Sequence, residues 1–263
     1  VAQDQVSGMV PATVEAVHTI VFWSKDFGPF LADNCGRKLR QAGSHPLFNF
    51  TANSKSDILE PNLPRLGHRL DQAAELCRRF GPQSLQWRFD PICFYRTPRG
   101  VENNLGDFEP IAGHMARMGV GWCVTSFADM YAKVGKRAAG IPDFEWIDPP
   151  VDHKVRVLQR MQQVLEKCGM NLYTCCENDV QEALPHNAGI LPSACIPNRY
   201  LVERYGGRLS FQKDAGQRKE KGCGCMTARD IGGYADQPCY HNCLYCYANP
   251  ASPEQNRITA QNP

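Results

Sequence analysis

The chain alternates between short apolar runs that turn polar at their C-terminal ends and longer stretches with helical spacing. Residues 17–26 (VHTIVFWSKD), 46–53 (PLFNFTAN), 84–92 (SLQWRFDPI), 119–131 (GVGWCVTSFADMY) and 170–179 (MNLYTCCEND) are of the first kind. Runs of β-branched and aromatic residues of this length read as buried strands whose tips meet solvent or a site. Between them, Leu63, Leu66, Leu70, Ala73, Cys77 and Phe80 form one apolar stripe that stops at Gly81. Val155, Leu158, Met161, Leu165 and Cys168 repeat it up to Gly169. Phe108, Ile111, Met115 and Met118 do so again, with Asp107 as N-cap and Gly119 as the stop. Each is an amphipathic helix with a glycine C-cap.

Strand and helix in alternation with short connections imply parallel strands joined by right-handed crossovers. The pattern predicts an α/β fold over residues 1–205, a partial TIM-like (β/α) barrel, with a doubly wound sheet as the alternative. In either, ligands bind at the C-terminal strand ends. Lys25, Asp26, Thr51, Asn53, Arg88, Asp90, Ser126, Asp129 and Glu177 stand there. Lys25, Arg88, Asp90 and Glu177 are the candidate catalytic residues. Arg88 and Asp90 flank buried aromatics, where a charge must be paired or used.

From Gly206 the periodicity ends and glycines multiply, so residues 206–263 form a cysteine-rich segment that needs metal, docking or both to order it. The 263 residues include thirteen cysteines. Disulfides require an oxidising compartment. The start of the chain lacks the basic and apolar regions of a signal peptide, so thiolate–metal ligation in the cytoplasm is the expectation. The net charge of +2 gives no electrostatic reason for nucleic acid, and no apolar run reaches the roughly 18 residues of a membrane span. The chain opens at Val1 and not at Met, which reads as an incomplete copy of a longer sequence.

Cys239, Cys243 and Cys246 lie in the spacing C-x3-C-x2-C. A zinc site joining Cys243 and Cys246 to Cys223 and Cys225 would complete four ligands but leave Cys239 unused. A [4Fe–4S] cluster held by three cysteines uses all three and keeps one iron open. The motif, with Tyr245 before its last cysteine, resembles the signature of the radical S-adenosylmethionine (SAM) enzymes, although there it follows the first strand. That resemblance implies SAM at the open iron, with Tyr245 near the adenine. Inside the loop, His241 reads either as a hydrogen-bond donor to a sulfide or SAM or as a solvated loop histidine. The Gly-Gly-Glu stretch that often holds the SAM amine is absent.

The stretches IVFWSKD, WRFDPI, SFADMY, QRKEKGCGC, DIGGY and CYHNCLYCYAN resemble the bacterial family known as domain of unknown function 1848, whose members are described by likeness to radical SAM clusters. Family members open with a further strand ending in a Ser-Arg-Arg-Thr-Asp run, so the barrel expected here lacks its first strand. Cys176, Cys195, Cys223 and Cys225 also lie at resembling positions. Four thiols close a second site, either an auxiliary [4Fe–4S] cluster or zinc. Cys176 is the weaker member because Cys175 adjoins it, and neighbours on a strand face opposite ways. Cys35, Cys77, Cys93, Cys123 and Cys168 read as buried hydrophobes. The basic run Arg218, Lys219 and Lys221 reads as a solvated charge run or a counter-charge.

These features lead to an oxygen-sensitive iron–sulfur enzyme that cleaves SAM reductively to act on a small molecule, taking electrons from a donor such as flavodoxin or ferredoxin. An electron-transfer protein without SAM chemistry and a zinc-stabilised hydrolase or binding protein are the alternatives.

Overall fold

The computed structural model describes residues 13–33, 35–215, 221–231 and 239–246. Six strands form one parallel sheet in sequential order: β1 (Thr19–Ser24), β2 (His45–Thr51), β3 (Leu85–Ile92), β6 (Trp122–Phe127), β8 (Asn171–Thr174) and β9 (Leu191–Pro192). Each of the five apolar runs supplies one of the first five. Among the described residues the sheet is open, since β1 and β9 are its ends and do not pair. The fold is therefore α/β with a mainly parallel sheet that, among the described residues, does not close into a barrel.

The predicted stripes become α3 (Leu66–Phe80), α4 (Phe108–Arg117) and α6 (Val151–Lys167). Gly81, Gly119 and Gly169 all have positive φ just past them, the conformation that ends a helix without a Cβ penalty. Asp107 occupies the N-cap position of α4, but its carboxylate accepts the Lys55 backbone N–H at 3.0 Å and caps nothing. The helices meet alternate residues of the strands in one continuous core: Phe48 and Phe50 of β2, Leu85, Trp87 and Phe89 of β3, Cys123 of β6 and Leu172 of β8. Period-2 alternation sends the intervening residues, Asn49, Arg88, Asp90 and Ser126 among them, to the opposite face.

That face is covered by other parts of the chain. After β9 the chain crosses it, and the Asn49 side-chain amide donates to the Cys195 carbonyl at 3.1 Å. Helix α8 (Asn198–Tyr205) follows, its Tyr205 hydroxyl donating to the carbonyl of Pro46 near the start of β2. Beyond the end of β3 comes a small antiparallel sheet that the periodicity does not predict: β4 (Phe94–Thr97), β5 (Gly100–Asn103) and β7 (Glu145–Ile147), in the order β5-β4-β7. Leu59, Cys93 and Tyr95 form an apolar seat there, into which Leu244 of the cysteine loop packs.

The remaining helices are α1 (Gly28–Ala32), α2 (Cys35–Gln41), α5 (Ala132–Ala138) and α7 (Asn178–Ala183). No helix among the described residues is long and apolar enough to cross a membrane. Of the sequence expectations, those on Arg218 and Lys219 lie outside the described residues.

Candidate functional site

Two thiol groups and one cavity gather at the C-terminal ends of the strands and on the polar face of the sheet. The first group is the three-cysteine loop. Leu244 donates its N–H to the Leu59 carbonyl at 2.9 Å, and the Asn62 amide donates to the Tyr240 carbonyl at 2.9 Å. The Tyr245 hydroxyl donates to the buried Glu60 carboxylate, with Asn53 Nδ2 3.1 Å from that hydroxyl and 3.0 Å from Glu60 Oε1. Lys25 Nζ is 3.0 Å from the same carboxylate and 5.3 Å from the centre of the Tyr245 ring. Cys243 is buried, Cys246 half-buried and Cys239 exposed. Burial pushes the Cys243 thiol up to about 12, so in the free protein it stays protonated at neutral pH.

Glu60 is the hinge of this arrangement and is invisible as a pattern, a lone acid in a proline-rich stretch. Burial would raise its pKa, but Lys25 and then Arg69, whose guanidinium is 3.8 Å away, hold it below the usual carboxylate range. The Lys25 expected to face substrate is therefore engaged with Glu60, and it also approaches the Asp90 carbonyl at 3.5 Å. His241 is half-buried near Asn62, Asp26 and Lys25, and burial lowers its pKa.

The second group lies on the polar face. Cys175 Sγ is 3.7 Å from Cys176 Sγ and 3.6 Å from Cys195 Sγ. Cys195 and Cys223 each hydrogen-bond Cys225, and Cys223 reaches Cys176, so five sulfurs form a closed ring of contacts. The alternation argument against Cys176 fails because β8 ends at Thr174 and Cys176 has φ 61, a left-handed turn that brings its sulfur to the same side as that of Cys175. Cys175 joins the set for the same reason.

Glycine lets the tail come close enough. A Cβ on Gly224 would stand 2.6 Å from the Ser193 carbonyl oxygen, and one on Gly222 would overlap the Asn178 side chain. Arg88, 5% exposed, donates from Nη1 to Cys195 Sγ at 3.1 Å and from Nη2 to Asp90 Oδ2 at 2.7 Å, and Ser126 donates to Asp90 Oδ1 at 2.5 Å. Hydrogen bonds from Cys175 and Cys225, with the Arg88 charge, push the Cys195 thiol down, while Cys175 and Cys225 are pushed up. Among the described residues, no three or more His, Cys, Asp or Glu side chains form a preassembled ligand shell.

Between the two groups runs an unbroken polar path, from Cys195 through Arg88 and Asp90 to Asn53 and Lys25, then Glu60 and Tyr245. Beside the ring lies a cavity of about 320 Å³ whose lining includes Phe127, Lys154, Cys176, Glu177 and Lys221. Glu177 accepts the Phe127 N–H at 2.7 Å, yet burial raises its pKa to about 7. Lys154 pairs with Asp148 at 2.6 Å, and Lys221 pairs with Asp129.

The structure thus brings Lys25, Asp90, Tyr245 and the three-cysteine loop into one network, and joins Arg88 to the cysteine ring. Glu177 stands apart from both, on the cavity wall. Of the five cysteines read as hydrophobes, Cys77, Cys93 and Cys123 are buried and Cys35 and Cys168 half-buried. A comparison with curated proteins finds no match. Residues 2–248 match the family model described as Domain of unknown function (DUF1848), and the chain belongs to that family.

Proposed function

We propose that the chain is an iron–sulfur enzyme of radical SAM type, with Cys239, Cys243 and Cys246 as the three protein ligands of a [4Fe–4S] cluster. The observation that carries this reading is the loop itself. Three thiols on eight residues are clamped over the strand ends by Tyr245, Leu244 and the Arg137 guanidinium, whose Nη2 donates to the Leu244 carbonyl at 2.7 Å and the Cys246 carbonyl at 2.5 Å. The donor set fits the group: soft thiolates suit iron–sulfur clusters, and two further nitrogens of Arg137, Nε and Nη1, are buried without a hydrogen-bond partner beside them.

When bound, such a cluster supplies one electron to the SAM sulfonium, which breaks a carbon–sulfur bond; the electron comes from a donor such as flavodoxin or ferredoxin. The chain's own residues then bind and orient. The cavity next to Cys176 takes the small-molecule substrate, the Lys154–Asp148 and Lys221–Asp129 pairs give its wall polar groups, and Glu177, its pKa raised to about 7 by burial, holds a proton for exchange with the substrate. Six parallel strands in sequential order fit a partial (β/α) barrel, in which ligands bind at the C-terminal strand ends.

The ring of Cys175, Cys176, Cys195, Cys223 and Cys225 is a second thiolate site. Its sulfur separations of 3.6 and 3.7 Å lie near the edge, about 3.8 Å, of a tetrahedron with metal–sulfur bonds of about 2.3 Å. Zinc or an auxiliary [4Fe–4S] cluster would be held there, and metal analysis distinguishes the two. The test is anaerobic reconstitution with iron and sulfide, then SAM and dithionite, assayed for 5'-deoxyadenosine. Its formation supports the reading. An intact, reducible cluster that yields none sinks the SAM chemistry, and a colourless protein loaded only with zinc sinks the iron–sulfur assignment.

A further inference from the structure

We infer that Arg137 is the counter-charge of the three-cysteine loop, a positioning residue that both clamps the loop and sets the reduction potential of the cluster held there. The inference rests on the iron–sulfur reading of that loop.

Arg137, half-buried, stands in the last turn of α5 between exposed Lys136 and buried Ala138. Its Nη2 bridges the carbonyls of Leu244 and Cys246, the residues on either side of Tyr245. The rest of the fork has no structural use: Nε and Nη1 are buried and unpartnered, and no carboxylate among the described residues forms an ion pair with Arg137. A guanidinium stays charged in any protein setting and presents five N–H donors in a fixed plane. A cation whose inner nitrogens are buried and unpaired in this way calls for an anion. Its Nη2 already touches the loop backbone on both sides of Tyr245, one contact being the carbonyl of the proposed ligand Cys246.

Three thiolates on an iron–sulfur core leave an anionic site, and each electron added from a reductant makes it more so. A fixed positive charge in a low-dielectric setting favours the reduced form. Lys136, on the same helix but exposed, is screened by solvent and supplies the control.

The experiment uses the full chain, reconstituted anaerobically with ferrous iron and sulfide and titrated with dithionite. Iron per chain and the midpoint potential are read by visible absorption and electron paramagnetic resonance, and the loop's signal is identified as the one missing in Cys243→Ala. In Arg137→Gln the reduction equilibrium should fall about tenfold, which for one electron is a drop of about 59 mV. Arg137→Lys should stay within about threefold of the parent by the same scale, and Lys136→Gln should not move it.

Arg137→Gln with full iron and the parent potential overturns the inference, as does Arg137→Lys behaving like Arg137→Gln. Where Arg137→Gln fails to fold or to hold iron, Arg137→Lys decides: parent-like iron and potential support the charge role, and loss of iron there too refutes it. A parent protein that takes no iron at the loop defeats the iron–sulfur reading, and this inference with it.

Discussion

At the residue scale, burial sorts side chains that look alike in the sequence. Cys77 and Cys243 are both buried thiols with pKa values raised by desolvation, to about 11 and about 12. Cys77 packs in the helix–sheet core, whereas Cys243 lies between its loop partners and Glu60. Cys243→Ala should therefore abolish iron binding at the loop. Cys77→Ala should leave iron content unchanged, at a cost of about 1 kcal/mol from the lost packing. Equal iron loss in both, measured by metal analysis, would contradict this division. Glu177 gives a pH signature. Its folded pKa of about 7 exceeds the unfolded 4.5, so the native state binds the extra proton between those values. Its contribution to stability is full below about pH 4.5 and lost as pH rises through about 7, up to about 3 kcal/mol in all. Glu177→Gln should flatten that stretch of the stability–pH curve, followed by urea unfolding, and a slope there equal to the parent's would refute the assignment.

At the scale of elements, the informative positions are the joints. The strand runs and helix stripes are legible because burial of one face imposes a period on the sequence. The left-handed turn at Cys176 and the close approach at Gly224 leave no periodic trace. Gly224→Ala must displace the Ser193 carbonyl or the tail, at about 1–3 kcal/mol. The expected result is loss of metal from the cysteine ring while Cys239, Cys243 and Cys246 keep theirs. Metal analysis of the variant, with and without Cys243→Ala, separates the two sites. The antiparallel sheet β5-β4-β7 escapes the reading because its strands are three or four residues long, too short for alternation to register.

At the scale of the molecule, a buried ion network joins the cysteine loop to the sheet. Glu60 carries Lys25, Arg69 and Tyr245 together. Removing its charge leaves two cations unpaired, a loss of about 3–5 kcal/mol by the usual cost of breaking a buried pair. Glu60→Gln should lower the urea midpoint accordingly and expose the loop cysteines to alkylation. A change below about 1 kcal/mol would mean that the network does not hold the loop. Because the Glu60 pKa is lowered, its contribution is present above about pH 4.5 and lost as pH falls.

The sequence by itself determined the five principal strands, the three long helices and the identity of the thiols, since periodicity and side-chain chemistry are local properties. Only the tertiary structure decided which thiols meet. Cys195 joins Cys175 across 20 residues, and Tyr245 reaches Glu60 across 185. Such pairings are set by the order of the strands and by where the tail crosses the sheet. Cys175, Glu60 and Arg137 enter the site only then, because each owes its place to a partner far along the chain and not to any repeat around itself.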